Sequence, residues 1–64
     1  MKWTDSREIA IALAETYPDL DPLTINFVDL RNRVLALPGF DDNPAHSGEK
    51  ILEAIQMTWI DEAD

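Results

Sequence analysis

Four prolines in two pairs divide this 64-residue sequence into three segments. Pro18 and Pro22 form one pair, and Pro38 and Pro44 form the other. A proline inside a helix removes a backbone hydrogen bond and clashes with the preceding turn, so we expect helices to stop at each pair. A chain of this length has material for one hydrophobic core. The segments are therefore expected to fold together as a single domain, residues 1–64.

The spacing of apolar residues predicts one helix in each segment. Apolar side chains recur at steps of three and four, which places them on one face of a helix. The predicted helices span residues 5–17, 28–37 and 48–62. Asp5 and Glu8 have the spacing of a capping box at the start of the first helix. The predicted core consists of Ile9, Leu13, Tyr17, Leu20, Phe27, Leu30, Val34, Leu37, Ile51, Leu52, Ile55 and Trp59.

The connections between the helices suggest the fold class. A tight turn rich in Pro and Asp follows the first helix, and a loop over residues 38–47 precedes the third. This order predicts a mainly α domain with a helix-turn-helix or modified winged-helix-like arrangement, although a plain three-helix bundle fits the stripes equally well. The loop could form a small hairpin or wing. We expect Phe40 to dock it on the core and Trp3 to close the base of the core.

The net charge of the sequence indicates which classes of partner the protein can bind. Thirteen acidic residues against five basic ones give a net charge of −8. Such a field repels nucleic acid phosphates and anionic lipids and attracts basic proteins or cations. Only Arg31 and Arg33 offer a basic edge, so we expect no binding to duplex DNA at physiological salt and no membrane binding. A helix-turn-helix DNA-binding domain and a generic acidic protein-interaction domain are the alternative functions.

The sequence offers little for catalysis and more for weak metal binding. His46 is the single histidine and lies beside Ser47, and a base next to its nucleophile rarely reaches it in the geometry of a catalytic triad. We therefore predict no catalytic residues and no enzyme. The chain has no cysteine, which excludes disulfides, a thiolate zinc site and a bound iron-sulfur cluster. With no long apolar run, it is expected to be a soluble, cytoplasmic monomer. Oxygen ligands suit weakly held divalent ions.

Two pairs of carboxylates are the candidate ligands for such an ion. Asp5 and Glu8 are three residues apart on one predicted helix face, and Asp19 and Asp21 flank the following turn. Helix capping and turn formation are the competing structural explanations for these four residues. An acidic pair in the loop, Asp41 and Asp42, and an acidic cluster at the carboxyl end are alternative positions for a metal. The cluster consists of Asp61, Glu62 and Asp64.

Several strings along the sequence resemble the IscX family. They are Trp3-Thr4-Asp5-Ser6, Tyr17-Pro18-Asp19-Leu20-Asp21-Pro22, Phe40-Asp41-Asp42-Asn43-Pro44, Glu49-Lys50-Ile51-Leu52-Glu53-Ala54-Ile55 and Trp59-Ile60-Asp61-Glu62-Ala63. This family comprises small acidic bacterial proteins encoded with the housekeeping iron-sulfur cluster assembly machinery. The resemblance covers nearly the whole chain. It departs from the family at Asn32-Arg33-Val34 and Pro38-Gly39, where other members carry an aromatic and acidic residues.

The resemblance implies a modified winged-helix fold and an adaptor or regulatory role that overlaps with bacterial frataxin. It implies binding to the cysteine desulfurase of that machinery, weak binding of Fe²⁺ without a cluster, and a ferredoxin or frataxin-like protein as a further partner. We expect the desulfurase to contact an acidic surface made of Asp5, Glu8, Glu15, Asp19 and Asp21. The expected Fe²⁺ ligands are Asp5, Glu8, Asp19 and Asp21.

Overall fold

The computed structural model describes residues 1–63, which form three α-helices. Helix α1 spans Ser6–Thr16, α2 spans Phe27–Leu35 and α3 spans Glu49–Ala63, and a 3-10 turn at Pro44–His46 lies between α2 and α3. The predicted mainly α single domain is confirmed. None of these residues forms a strand, so the loop before α3 contains a 3-10 turn and no β wing. Asp64 lies outside the described residues.

Helix α1 begins after Asp5 and ends before Tyr17. Asp5 is the N-cap residue, but its carboxylate accepts a hydrogen bond from the backbone amide of Lys2 at 2.9 Å and makes none to α1. The predicted capping box is therefore wrong, because the carboxylate turns towards the preceding residues. The helix ends at Thr16, one residue earlier than expected, and the amide of Tyr17 still donates to the carbonyl of Leu13.

Helix α2 has a side-chain cap that fixes its start. The Asn26 side chain accepts a hydrogen bond from the amide of Asp29 at 2.8 Å, so the helix begins at Phe27. It ends at Leu35, two residues before the expected end, and Ala36 is its C-cap residue. Leu37 cannot easily continue the helix, because the residue before a proline is disfavoured in helical geometry. Gly39 then adopts a positive φ of 82°, which a glycine accommodates easily.

The core lies where α1 packs against α3, with α2 covering one side. Eight of the twelve expected core residues are buried, and Tyr17, Leu20, Phe27 and Ile51 are half-buried at its edge. The large apolar side chains at its centre mostly follow the helical stripes, which confirms the periodicity on which the prediction depended. The buried core consists of Trp3, Ile9, Ala10, Leu13, Ile25, Leu30, Val34, Leu37, Leu52, Ile55 and Trp59.

Candidate partner-binding surface

The start of the chain docks on the loop before α3, and we call this contact between residues 1–3 and 39–43 the N-terminal clasp. The amide of Asp41 donates to the carbonyl of Met1 at 3.1 Å, and the amide of Trp3 donates to the Asp42 carboxylate at 3.0 Å. The Trp3 indole Nε1 donates to the carbonyl of Asn43 at 2.8 Å. The clasp thereby fixes the chain just before α1 begins.

Two aromatic side chains anchor the clasp to the core. Trp3 is 1% exposed, and the half-buried Phe40 meets it edge to face, with ring centroids 4.7 Å apart and ring planes at 70°. Aromatic pairs prefer this geometry because the positive ring edge faces the negative ring face. The expected roles of Trp3 at the base of the core and of Phe40 in the loop are both confirmed.

The carboxylates of Asp41 and Asp42 serve the clasp. A hydrogen bond from the terminal ammonium of Met1, together with the nearby Lys2, holds the pKa of Asp41 below its usual value. Hydrogen bonds from the amides of Trp3 and Asn43 likewise lower the pKa of Asp42. Each carboxylate already has hydrogen-bond donors within the protein. Asp41 also lies 3.3 Å from the Met1 ammonium and 3.5 Å from the Lys2 ammonium, and these cations would compete with a metal ion. This pair is consequently a poorer candidate for metal binding than carboxylates without a cationic neighbour.

The five residues expected to bind the partner are all exposed to solvent, and we call them the α1 acidic surface: Asp5, Glu8, Glu15, Asp19 and Asp21. Within residues 1–63 none of them lies within ion-pairing distance of a basic side chain. Their negative charge is therefore available to an external basic surface. Helix α1 separates Asp5 and Glu8 from Asp19 and Asp21, so the five are not gathered at a single point.

The four expected metal ligands do not come together. Asp5 and Glu8 lie at the start of α1, and Asp19 and Asp21 lie beyond its end. The helix has 11 residues and is therefore about 16 Å long at 1.5 Å per residue. Over the described part of the chain, no group of three or more His, Asp or Glu side chains is placed to hold a metal ion. The expected ligand set thus falls into two separate pairs.

The turn after α1 confirms the structural explanation for Asp21. Its carboxylate accepts a hydrogen bond from the amide of Leu23 at 2.9 Å, and its carbonyl accepts one from the Thr24 hydroxyl at 3.1 Å. This is turn formation by a short acidic side chain. Asp19 lies nearby on an open groove of about 370 Å³ that also includes Tyr17 and Arg33.

The two arginines of α2 both contact other groups of the same chain. Arg31 Nε donates to the Ser47 hydroxyl at 2.9 Å, which ties α2 to the loop before α3. The Arg33 guanidinium lies 4.7 Å above the centroid of the Tyr17 ring, and its Nη2 is 3.6 Å from a carboxylate oxygen of Asp29. Duplex DNA would have to displace these contacts before either arginine could bind a phosphate. These contacts therefore disfavour DNA binding, as the negative net charge does.

Sequence reasoning did not identify the exposed apolar side chains, which are Ile11, Leu23, Val28 and Met57. Leu23 lies in a turn, where helical periodicity does not apply. Met57 lies on α3 outside the predicted core stripe. The sequence could have indicated such residues, because an apolar residue that lies outside the core stripe of its helix is either exposed or in contact with another element.

None of the helices in residues 1–63 has the length and apolar content needed to cross a membrane.

Comparison with known proteins assigns the chain to a family. The sequence model of the family described as "Iron-sulphur cluster assembly" matches residues 1–64. The chain is also 59% identical to "Uncharacterized protein PA3808" of Pseudomonas aeruginosa, over 100% of this chain and 97% of the relative. The chain therefore belongs to the iron-sulphur cluster assembly family, the IscX family that its sequence strings resemble.

Proposed function

We propose that this protein is a non-enzymatic adaptor or regulator that binds the cysteine desulfurase of the iron-sulfur cluster machinery through the α1 acidic surface. The observation that carries the proposal is the set of five exposed carboxylates on one helix and its turn, without basic partners in residues 1–63. A surface of unpaired charges of one sign favours a partner of the opposite sign. The family assignment supports a partner within cluster assembly.

The charge of the protein should govern how fast the complex forms. A net charge of −8 on a small domain attracts a basic patch over a distance of several ångströms, which raises the association rate. Exposed charge pairs are screened over about 10 Å at 0.1 M ionic strength. Raising the salt concentration should therefore weaken the complex, chiefly through slower association.

A titration of the fluorescently labelled protein with the desulfurase, at two salt concentrations, tests this proposal. The variant Glu8→Gln/Glu15→Gln should bind about fivefold more weakly, since each exposed ion pair contributes about 0.5 kcal/mol. The matched control is Glu49→Gln/Glu53→Gln on α3, because Glu8 and Glu49 both lie in the first turn of a helix. A flat titration would contradict the proposed partner. Equal weakening by both variants would contradict the proposed surface.

We also propose that Fe²⁺ binds weakly at each of the two acidic pairs, Asp5 with Glu8 and Asp19 with Asp21. Two carboxylates leave most of the coordination sphere of a divalent ion to water, so Mg²⁺ should compete. Anaerobic titration with Fe²⁺, followed by paramagnetic broadening of amide NMR signals, distinguishes the possibilities. The amides of both pairs should broaden before those of Asp41, which serves as the internal control. Broadening that starts at Asp41 would contradict the assignment, and a spectrum unchanged at millimolar Fe²⁺ would contradict iron binding.

A further inference from the structure

Helix α3 and the turn before α2 together present an exposed apolar surface. Met57 is 59% exposed and Leu23 is 69% exposed, and the half-buried Ile60 lies one helical turn after Met57. A groove of about 160 Å³ separates the turn from the end of α3. We call Leu23, Met57 and Ile60 the apolar strip. The groove is lined by Asp21, Pro22, Leu23, Ile60 and Ala63.

The turn is held firmly against α3 beside this strip. Gln56 Nε2 donates to the carbonyl of Pro22 at 2.9 Å, and Pro22 itself is buried. The carboxylate of Asp21 fixes the next part of the turn through the amide of Leu23. Because these contacts already order the backbone around the groove, a ligand would lose little affinity to ordering it.

The rim of the apolar strip is acidic. Glu53, Met57, Ile60 and Asp61 occupy positions i, i+4, i+7 and i+8 of α3, which place them on one helix face. Asp21 lies on the opposite side of the groove. No basic side chain within residues 1–63 forms an ion pair with Glu53, Asp61 or Asp21. The nearest cation on this face by sequence is Lys50, two helical turns before Met57.

We infer that the apolar strip is a second protein-binding surface, which accepts a basic amphipathic helix of a partner protein. An apolar side chain of that helix would enter the groove between Leu23 and Ile60, and its Lys or Arg residues would meet Glu53, Asp61 and Asp21. Charge complementarity selects this occupant, since an acidic segment would be repelled by three unpaired carboxylates. The inference goes beyond the proposed function, because it places a further partner on α3 and the turn before α2. This second surface shares only Asp21 with the α1 acidic surface that is assigned to the desulfurase.

Methyl and amide NMR of the full chain can test this inference with synthetic peptides. The probe is a 14-residue peptide of Leu and Lys arranged as an amphipathic helix, and the control is a scrambled peptide of the same composition without an apolar face. The amphipathic peptide should shift the methyl signals of the apolar strip first. It should bind about tenfold more tightly than the scrambled peptide, which has the same charge but cannot fill the groove.

Two variants and one matched control locate the binding site. Leu23→Gln and Met57→Gln should each weaken binding of the amphipathic peptide about tenfold, because each removes an exposed apolar contact. Val28→Gln is the control, since Val28 is 73% exposed but lies in the first turn of α2. Because all three side chains are exposed, none of these changes should alter the melting temperature appreciably.

Three results would overturn the inference: equal binding of the two peptides, equal weakening by Val28→Gln, or first shifts at Glu8 and Glu15. The variant Glu53→Gln/Asp61→Asn should weaken binding and reduce its dependence on salt, and an unchanged salt dependence would contradict the role of the rim. The desulfurase titration gives an independent result. Leu23→Gln/Met57→Gln should bind the desulfurase as the unmodified chain does, so either proposal can fail without the other.

Discussion

Replacing Trp3 with Phe should lower the free energy of unfolding by about 2 kcal/mol, because the indole both fills the core and donates a hydrogen bond. Trp3 is 1% exposed, and its Nε1 lies 2.8 Å from the Asn43 carbonyl oxygen. The substitution keeps an aromatic ring at the position and removes the donor. It therefore tests the N-terminal clasp without deleting the whole side chain.

The expected decrease in the free energy of unfolding has two parts, a lost hydrogen bond and a cavity. The lost hydrogen bond contributes about 0.5–1 kcal/mol, at the lower end of the usual range because the Asn43 carbonyl still accepts from the amide of His46 at 3.0 Å. The smaller ring leaves a cavity of about 40 Å³, which costs about 1 kcal/mol at 24 cal/mol per Å³. For a domain of this size, 2 kcal/mol corresponds to a decrease in melting temperature of about 15 °C.

Urea unfolding followed by fluorescence measures this change directly, because the variant retains Trp59 as its only indole. The midpoint should decrease by about 2 M at an m-value of about 1 kcal/mol per M. Phe40→Leu is the comparison, since it removes the edge-to-face contact with Trp3 but keeps the indole hydrogen bond. A midpoint for Trp3→Phe within about 0.3 M of the unmodified protein would refute the contribution of the clasp to stability.

Two further changes test other contacts. The pKa of Asp42 is lowered in the folded state, so its contribution to stability is complete well above 3.8 and declines as the pH falls through 3.8 towards the lower folded value. Asp42→Asn should therefore reduce the loss of stability on acidification from about pH 5 to pH 2, and a pH profile identical to that of the unmodified protein would contradict the contact. Asn26→Ala should destabilise α2 by about 1 kcal/mol in thermal unfolding, because the amide of Asp29 loses its acceptor. An unchanged melting temperature would show that this cap contributes nothing.

Local spacing predicted the helices but not all of their ends. The stripe that includes Ile9 and Leu13 depends only on neighbours three and four residues away, and the corresponding helix forms. Asn26 escaped notice as a cap because an asparagine in a polar turn resembles any other turn residue. Ile25 is buried although it belongs to no stripe, since the turn before α2 directs it towards the core.

The candidate site was less accessible to sequence reasoning because its contacts join distant residues. Asp41 and Asp42 contact the first three residues of the chain, and no local pattern relates these positions. A spacing of three predicted Asp5 and Glu8 on one helix face, but Asp5 is the N-cap residue of α1 and its carboxylate turns to the amide of Lys2. Spacing could not place Asp19 relative to Asp5, because that separation depends on the length of the intervening helix.

The shared core of Trp3 and Trp59 has a consequence for how the protein is made. These indoles come from near the two ends of the sequence and lie in one cluster. A ribosome adds residues from the amino end at about 5–20 per second, so the 15 residues of α3 take about 1–3 s to appear. Until then α1 can bury Ile9 and Leu13 only in part, against α2, because α3 makes most of the contacts to α1. The nascent chain should consequently leave these side chains partly exposed to chaperones until α3 has emerged, and should complete its core only then.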